Sequence, residues 1–305
     1  MRTEAGVLLG VALDAAFGDP RRGHPVALFG RAAAALEQRV YGPSRLRGAV
    51  FTGICVGGAA GLGVLAGRAG PRTEFALTAL ATWTVLGGTS LGREGGEMAR
   101  LLEAGDLAGA RARLSHLCAR DPSGLAADAL ARATIESIAE NTSDAVVAPL
   151  FWGVVAGVPG LLAYRAVNTL DAMVGYRNER YTRFGWASAR LDDVANWVPA
   201  RLTGLLTVAV AQDRPGAYRT LRLDGARHPS PNAGRCEAAA AGALGIRLGG
   251  TNTYGGHCEH RPELGDGRSP EVRDIRRAVR LSRDVALAAA LGLTLARTLI
   301  RTGRP

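Results

Sequence analysis

Acidic residues recur at helical spacing in the stretch ESIAENTSD, directly before an apolar run. Arg132, Glu136, Glu140 and Asp144 lie four residues apart, so a helix would carry them on one slowly drifting face. Carboxylates beside the amide of Asn141 suit Mg²⁺, which prefers oxygen ligands. The alternative is a solvated face of ion pairs, but acids at this spacing repel one another and need a cation or another compensating partner. The pattern predicts a site that binds Mg²⁺.

The stretch YRAVNTLDAMVGYRNERYTRFGWASARLDDVANWVPAR, which begins at Tyr164, offers a second set of polar groups. Arg165, Asn168 and Asp171 are three residues apart, so a helix would place a cation, an amide and an acid on one stripe. Further on, Asp192 and Asp193, with Asn196 on the next turn, form a paired acidic site with metal-binding or catalytic potential.

Arginines alternate with aromatic residues in the middle of the same stretch. Arg177, Arg180 and Arg183 stand among tyrosines, and the planar arginine fork suits phosphate and carboxylate groups. Taken alone, the stretch also fits an amphipathic segment at a membrane interface. Both interpretations stay open at this stage.

Histidines occur in two proline-fixed turns. His228 stands in RHPSPNAG, ahead of an alanine-rich helix whose start could bind an anion, and His24 stands beside Asp19 in GDPRRGHPV. A single histidine is more often structural than catalytic. The later glycines match neither a P-loop nor a dinucleotide fingerprint. HCEH, which ends at His260, has metal-ligand residue types, but adjacent ligands in a loop rarely surround one ion.

Composition separates the chain from nucleic-acid-binding and disulfide-rich proteins. All 37 basic residues are arginine and the net charge is +10, yet the arginines are spread through every polar segment without a basic block or an aromatic platform. No nucleic-acid partner is therefore expected, and a membrane surface or anionic substrates explain the charge better. The four cysteines lack CxxC spacing, which argues against a zinc site and a disulfide framework.

Apolar runs long enough to cross a hydrocarbon core of about 30 Å predict membrane helices. Ala49–Gly67 and Val146–Tyr164 carry no charge, although Pro149 and Pro159 are expected to kink the second, and Phe75–Gly92 is a third candidate. Weaker stretches cover 5–18, 202–211 and 285–300. The pattern predicts four to six spans, and a buried soluble bundle is the alternative.

The fold class predicted is all-α, a polytopic integral membrane protein with long polar helical loops. Helical periodicity dominates and strand patterns are nearly absent. No linker divides the chain, so residues 1–305 are expected to form a single polytopic domain.

In this order, four segments resemble the adenosylcobinamide-phosphate synthase family of cobalamin biosynthesis, also called the CobD/CbiB family. They are GDPRRGHPV, ESIAENTSDAVVAPLFW, the whole stretch from Tyr164 to Arg201, and HPSPNAGRCEAAAAGALGIRLGG. The resemblance covers most of the chain, and its motifs are highly specific.

The resemblance implies a multi-pass protein of the cytoplasmic membrane that joins adenosylcobyric acid, a corrinoid, to aminopropanol phosphate or ethanolamine phosphate. This reaction forms an amide and consumes ATP with Mg²⁺. Partners would then be these small molecules and the lipid bilayer, and assembly into a homo-oligomer stays open.

Roles for single residues follow from the chemistry that this reaction requires. We expect carboxylates to hold Mg²⁺ and ATP, amides to orient them, arginines to clamp phosphates, and a base to take the amine proton. The candidates to hold Mg²⁺ and ATP are Glu136, Glu140, Asp144, Asp192 and Asp193, with Asn141 and Asn168 to orient them. The arginines expected to clamp phosphates are Arg165, Arg177 and Arg180, and the base is His228 or Asp171.

Two other functions fit parts of the pattern. A membrane Mg²⁺-dependent phosphotransferase acting on a lipid alcohol would also place helical acids at the bilayer edge. A transporter would carry its polar residues inside the spans, whereas most acids here lie beside them. The transporter ranks below the two enzymes.

Overall fold

The computed structural model describes residues 2–20, 23–68, 70–118, 120–254 and 257–302, and nearly all of its regular structure is helical. This confirms the predicted all-α membrane class. The helices are α1 (Arg2–Phe17), α2 (Pro25–Val40), α3 (Arg45–Gly67), α4 (Pro71–Val85), α5 (Gly88–Glu103), α6 (Leu107–Leu114), α7 (Ala127–Thr142), α8 (Ala148–Val174), α9 (Tyr181–Phe184), α10 (Trp186–Ala195), α11 (Trp197–Val210), α12 (Arg214–Asp224), α13 (Ala233–Leu244) and α14 (Val272–Thr302), with a π-helical turn at Ser143–Val147 and strands β1 (Leu248–Tyr254) and β2 (His257–Leu264).

Where the sequence predicts one domain, backbone contacts group the chain into two compact units. Unit 1 comprises Met1–Gly87, Asp144–Trp197 and Ala290–Pro305, and unit 2 comprises Gly88–Ser143 and Val198–Ala289. Each unit is built from segments that are distant in sequence. A boundary of this kind needs no linker, which is why composition does not reveal it.

Within the described residues, three helical stretches are long and apolar enough, by length and composition, to cross a membrane: Arg45–Gly67, Arg72–Glu103 and Ala127–Val174. The structure thus identifies three candidates where the sequence predicts four to six. Only 22% of the window in the first stretch is buried, so α3 offers most of its apolar surface to lipid. The weaker stretches all form helix, in α1, α11 and α14.

The predicted span at Phe75–Gly92 is interrupted. Helix α4 ends at Val85, Leu86 adopts extended backbone (φ −69°, ψ 150°), and the Gly87 N–H donates to the Ala145 carbonyl oxygen at 3.0 Å. A new helix begins at Gly88. The apolar composition continues through this break, so hydropathy alone does not reveal it.

The predicted span at Val146–Tyr164 is a helical hairpin rather than a single crossing. Within α8, Gly157 has φ 66° and ψ −150°, and the chain reverses there. The Tyr164 hydroxyl consequently donates to the Asp144 carbonyl oxygen at 3.2 Å, although a straight helix would separate residues 20 apart by about 30 Å. Gly153 lies against Leu161, where an added Cβ would come within 2.9 Å of its Cγ.

The hairpin determines which residues meet in unit 1. Its first arm, residues 148–156, is about 14 Å long, too short to cross a hydrocarbon core of about 30 Å. Both ends of the apolar stretch therefore lie on the same side of the membrane. Asp144, just before the stretch, consequently approaches Tyr164 and Arg165 at its far end. The second arm packs on α3 and α10.

Unit 2 packs α5, α6, α7, α12 and α13 around one apolar core, with the first half of α14 contributing Ile275 and Ala278. Strands β1 and β2 form an antiparallel hairpin that lies on α7, α12 and α13. The sequence did not predict these strands. A bulge between Leu248 and Gly250 is made by two glycines with positive φ, Gly249 and Gly250.

Replacement of Gly157 by alanine is expected to lower the free energy of unfolding by about 2 kcal/mol. Its backbone conformation is one that essentially only glycine adopts, so a Cβ introduces strain. Thermal unfolding of the detergent-solubilised protein measures the effect. Gly61→Ala is the matched control, since Gly61 lies in α3 with no heavy atom within 4 Å of an added Cβ, and alanine favours helix. Equal effects of both substitutions would contradict the role given to Gly157.

Candidate active site

The second arm of α8 and helix α10 bring polar side chains together at the base of the hairpin in unit 1. Arg165, Asn168 and Asp171 belong to the stripe that the i,i+3 spacing predicts, Tyr164 stands next to it, and α10 supplies Asp192. The Tyr164 hydroxyl donates to Asn196 Oδ1 at 2.8 Å. Because this bond uses the amide oxygen, Nδ2 is the group that Asn196 can offer to a neighbour.

Asp171 and Asp192 form a pair of neighbouring carboxylates. Burial and Asp171 raise the pKa of Asp192 from 3.8 to about 7, against the smaller lowering effect of the Asn196 and Asn168 amides. Asn196 is fully buried, and Asp192 Oδ1 and Asn196 Nδ2 are both buried without a hydrogen-bond partner among the described residues. An acceptor and a donor left open in the same cluster are expected where a ligand binds.

The GDPRRGHPV turn contributes Asp19 and His24 to the same cluster. His24 caps α2, and its Nδ1 accepts a hydrogen bond from the Val26 N–H at 3.1 Å. Burial lowers the pKa of His24, Asp19 opposes this effect and Arg165 adds to it. His24 is therefore neutral near pH 7 and carries its proton on Nε2. Residues 21 and 22 of this turn lie outside the described residues.

Arg165 is the cation of the cluster, with Asp19 and Asp144 as its charged neighbours. Its Nη1 donates to Asn168 Oδ1 at 3.4 Å. Arg165 Nε and Asp19 Oδ1 are buried and make no hydrogen bond within the described part of the chain. The guanidinium group thus keeps donor capacity for an anion.

Glu136 belongs to a different site, a buried ion network in unit 2. Its Oε2 accepts from Arg120 Nη2 at 2.5 Å, its Oε1 accepts from the Gly249 N–H at 2.8 Å, and Arg132 approaches to 3.9 Å. Glu136 is 5% exposed and Arg120 is 6% exposed. The compensating partners of Glu136 are therefore arginines and a backbone amide.

His228 lies in the same unit, together with Glu237. Its Nδ1 accepts from the Ser230 N–H at 3.0 Å, and Nε2 lies 3.3 Å from Arg261 Nη1 and 3.8 Å from Glu237 Oε1. Burial and the nearby Glu136 and Glu140 raise the pKa of Glu237 well above its usual value. Glu237 is 2% exposed, so burial is the main cause of this rise in pKa.

The remaining predicted residues are spread over both units. Asn141 donates from Nδ2 to the Ser137 carbonyl and hydroxyl oxygens at 2.9 and 3.1 Å. Arg177 is exposed in the loop after α8. Arg180 pairs with Glu37 at 2.9 Å and stacks on Tyr41, so this guanidinium is held by protein groups rather than offered as a phosphate clamp.

The five acids predicted to bind metal are divided between the two units. Glu136 and Glu140 belong to unit 2, whereas Asp144, in the π-helical turn, belongs to unit 1 with Asp192 and Asp193. Asp193 pairs with Arg190 at 3.3 Å. Across the described residues, no group of three His, Cys, Asp or Glu side chains is arranged to hold a metal ion. The side chains of residues 257–259, in the HCEH stretch, lie outside the described part.

Sequence reasoning gave no role to several residues of these clusters. Tyr164 and Arg120 were overlooked, and Asp19 and His24 were noticed without an assigned function. The i,i+4 step from Asp192 to Asn196 did place Asn196 beside the acidic pair. Spacing contains no information that pairs Arg120 with Glu136, because a loop lies between them.

The fold and the site at the hairpin base define a class: an α-helical membrane protein with a buried cluster of acids, amides and one arginine. The family model described as CobD/Cbib protein matches residues 7–282. The chain belongs to this family.

Curated relatives agree with this assignment over nearly the whole chain. The chain is 55% identical over 308 residues to the cobalamin biosynthesis protein CobD of Mycobacterium tuberculosis (strain ATCC 25618 / H37Rv), covering 98% of this chain and 96% of the relative. It is 47% identical over 282 residues to that of Geobacter metallireducens (88% and 89%) and 40% identical over 311 residues to that of Rhodobacter capsulatus (97% and 96%). No solved structure matches the chain.

Proposed function

We propose that this protein is an adenosylcobinamide-phosphate synthase, which joins adenosylcobyric acid to an amino-alcohol phosphate in an ATP- and Mg²⁺-dependent amide ligation. The family and the names of its relatives place the chain in cobalamin biosynthesis. Ligation requires a site that binds anionic phosphates, activates a carboxylate and removes a proton from an amine. The cluster at the hairpin base supports this proposal.

The observation that carries the proposal is the cluster of half-buried Asp192 and buried Asn196, in which the buried Asp192 Oδ1 and Asn196 Nδ2 lack a hydrogen bond of normal geometry within the described residues, beside a second carboxylate, Asp171. A structural acid would normally find a partner when buried. A site that leaves both groups open, next to an arginine, fits a substrate with phosphate groups and a divalent cation.

Magnesium fits the residues present, with Asp192 as the carboxylate that would hold it. Mg²⁺ sites use one or two carboxylates and fill the remaining positions with water and substrate phosphates, so the lack of a three-residue ligand group in the described chain is compatible with the ion. When bound, it would neutralise charge on the phosphates of ATP.

The chain's own groups then serve the two halves of the ligation. The carboxylate of adenosylcobyric acid receives the γ-phosphoryl group, and ADP leaves. Asp171 takes one proton from the ammonium group, and the free amine attacks the acyl carbon; phosphate then leaves with a second proton, and the amide nitrogen keeps the third. We assign this proton to Asp171 rather than to His228, because His228 Nδ1 already accepts the Ser230 N–H.

Arg165 is the residue proposed to bind a phosphate group, because its Nε is buried without a partner among the described residues. Arg165 Nη1 donates to Asn168 Oδ1, and Asn168 is a neighbour of Asp192, so an anion bound to Arg165 would lie close to Asp192. Arg177 is exposed in the adjoining loop and is a second candidate. We further propose that the protein crosses the cytoplasmic membrane several times and that its active site faces the cytoplasm, where ATP is supplied.

The test is a mass-spectrometric assay of the purified, detergent-solubilised protein with adenosylcobyric acid, aminopropanol phosphate, ATP and Mg²⁺. One component is omitted at a time, and ethanolamine phosphate replaces aminopropanol phosphate in a parallel series. We expect a product heavier by the amine phosphate less water, formed only when all components are present.

A folded protein that gives no product with either amine would contradict the proposal. The family assignment does not favour the membrane phosphotransferase, which is the remaining alternative in that case. It predicts a phosphorylated lipid product without any corrinoid, so the same preparation incubated with lipid alcohol, ATP and Mg²⁺ distinguishes the two.

A further inference from the structure

Arginines and apolar side chains meet in an open groove at the start of α3 in unit 1. The groove has a volume of about 630 Å³ and is lined by Pro43, Ser44, Arg45, Leu46, Thr182 and Arg183. We call it the arginine groove. It lies on the segment between α2 and α3 and on α9, and none of the residues discussed as the active site lines it.

The two arginines of the groove are available to a ligand. Arg183 is exposed and makes no ion pair or hydrogen bond with the described residues. Arg45 is exposed and contacts only the face of Trp186, at 5.3 Å from the ring centroid. The neighbouring acid Glu37 is already occupied by Arg180. The groove therefore carries uncompensated positive charge.

An apolar surface begins at the groove and continues along α3. Leu46, Val50 and Ile54 follow at helical spacing and are 74%, 50% and 52% exposed. They lie on the helix whose length and composition suit a membrane span. Trp186, 42% exposed, stands beside Arg45, and tryptophan is enriched at the level of lipid headgroups.

We propose that the arginine groove binds the phosphate of an anionic glycerophospholipid, whose acyl chains lie along Leu46, Val50 and Ile54. Two arginine forks match the phosphate, and the exposed helix face matches the chains. A water-soluble phosphate would use only the first of these features, which is why the lipid is the better occupant. Anionic headgroups attract basic residues next to a membrane helix.

Native mass spectrometry of the full-length protein in detergent tests the proposal, with phosphatidylglycerol and phosphatidylcholine of equal chain length added in parallel. We expect phosphatidylglycerol to bind with at least fivefold higher affinity. The Arg45→Gln/Arg183→Gln double variant should lose roughly 20-fold in that affinity, since each basic residue near the surface contributes about a fivefold factor. Lysine at both positions should restore most of it.

The matched control removes two arginines near the other end of the same helix. Arg68 follows the last residue of α3, about 35 Å along the axis from Arg45, and Arg72 lies nearby in sequence. Arg68→Gln/Arg72→Gln should leave phosphatidylglycerol affinity within about twofold. Thermal unfolding of all variants confirms that they are folded.

Three results would overturn the proposal. The first is equal affinity for the two lipids, and the second is an equal loss in the groove variant and the control variant. The third is displacement of phosphatidylglycerol by millimolar glycerol phosphate, which would assign the groove to a soluble phosphate. None of these results depends on the amide ligation, so the two proposals fail separately.

Discussion

Asparagine at position 192 is expected to lower kcat/KM for the ligation by at least about 100-fold while making the protein more stable. The substitution keeps the size of the side chain and removes a charge that the site would use to hold Mg²⁺ and stabilise phosphate transfer. Asp192 is also held next to Asp171 in a buried position. Neutralising one of the two acids relieves this repulsion.

The gain in stability has a defined pH dependence. Asp192 has a pKa of about 7 in the folded protein and 3.8 as its ordinary value. Between these values the folded chain keeps a proton that the unfolded chain has lost, so wild-type stability falls as pH rises through this window. The Asp192→Asn variant does not show this fall in stability with rising pH. Without divalent cations, the variant should exceed the wild type by about 2–4 kcal/mol at pH 8 and by almost nothing at pH 4.

Thermal unfolding at both pH values and the mass-spectrometric assay measure the two effects in one preparation. Asp193→Asn is the comparison, because Asp193 is the next residue along α10 and pairs with the exposed Arg190. We expect it to cost less than tenfold in activity and to leave the pH dependence of stability as in the wild type. An Asp192→Asn protein with wild-type turnover would remove Asp192 from the reaction.

Local spacing predicted the parts of the site that one helix determines. Arg165, Asn168 and Asp171 lie on one stripe because residues three apart on a helix are neighbours wherever that helix packs. The acids of α10 were also identified from their sequence. Joining α8 to α10 depends on tertiary packing, and the sequence could only suggest that both segments were polar.

The hairpin at Gly157 shows the limit of hydropathy. A stretch that crosses a membrane and one that reverses inside an apolar environment have the same composition, since both must be apolar along their length. The difference lies in one glycine with a positive φ, followed by Pro159. The sequence therefore predicted the apolar stretch and, from its prolines, a kink in it, but not the reversal at Gly157 that brings Asp144 to Tyr164 and Arg165.

The acidic face of α7 shows the corresponding limit for charge patterns. Repulsion between Glu136 and Glu140 correctly indicated that a compensating partner is needed, and a metal cation was one of the partners that the sequence suggested. The structure supplies Arg120, from the loop before α7, and the N–H of Gly249, from β1. Arg120 lies outside the helix, and Gly249 is remote in sequence and has a positive φ. The helical spacing of the acids therefore could not have identified either partner.

Loss of Arg120 is expected to lower the free energy of unfolding by about 3–5 kcal/mol, because it leaves the buried carboxylate of Glu136 without its main ion pair. Arg120→Met keeps much of the side-chain volume and removes the charge. The apparent thermal midpoint should fall by roughly 5–15 °C. Arg276→Met is the matched control: Arg276 makes an equally close pair with Glu103 at 2.7 Å, but both side chains are more than 40% exposed, and exposed pairs contribute about 1 kcal/mol or less.

A second substitution should restore part of the stability that the first removes. Arg120→Met/Glu136→Gln eliminates the unpaired buried charge, and glutamine can still accept the Gly249 N–H through Oε1. The double variant should therefore unfold at a higher temperature than Arg120→Met alone, a sign of coupling that independent residues do not give. Turnover of the double variant then separates the two roles of Glu136. Activity within tenfold of wild type means that Glu136 holds unit 2 together, whereas a stable but inactive double variant would return Glu136 to the metal and nucleotide site.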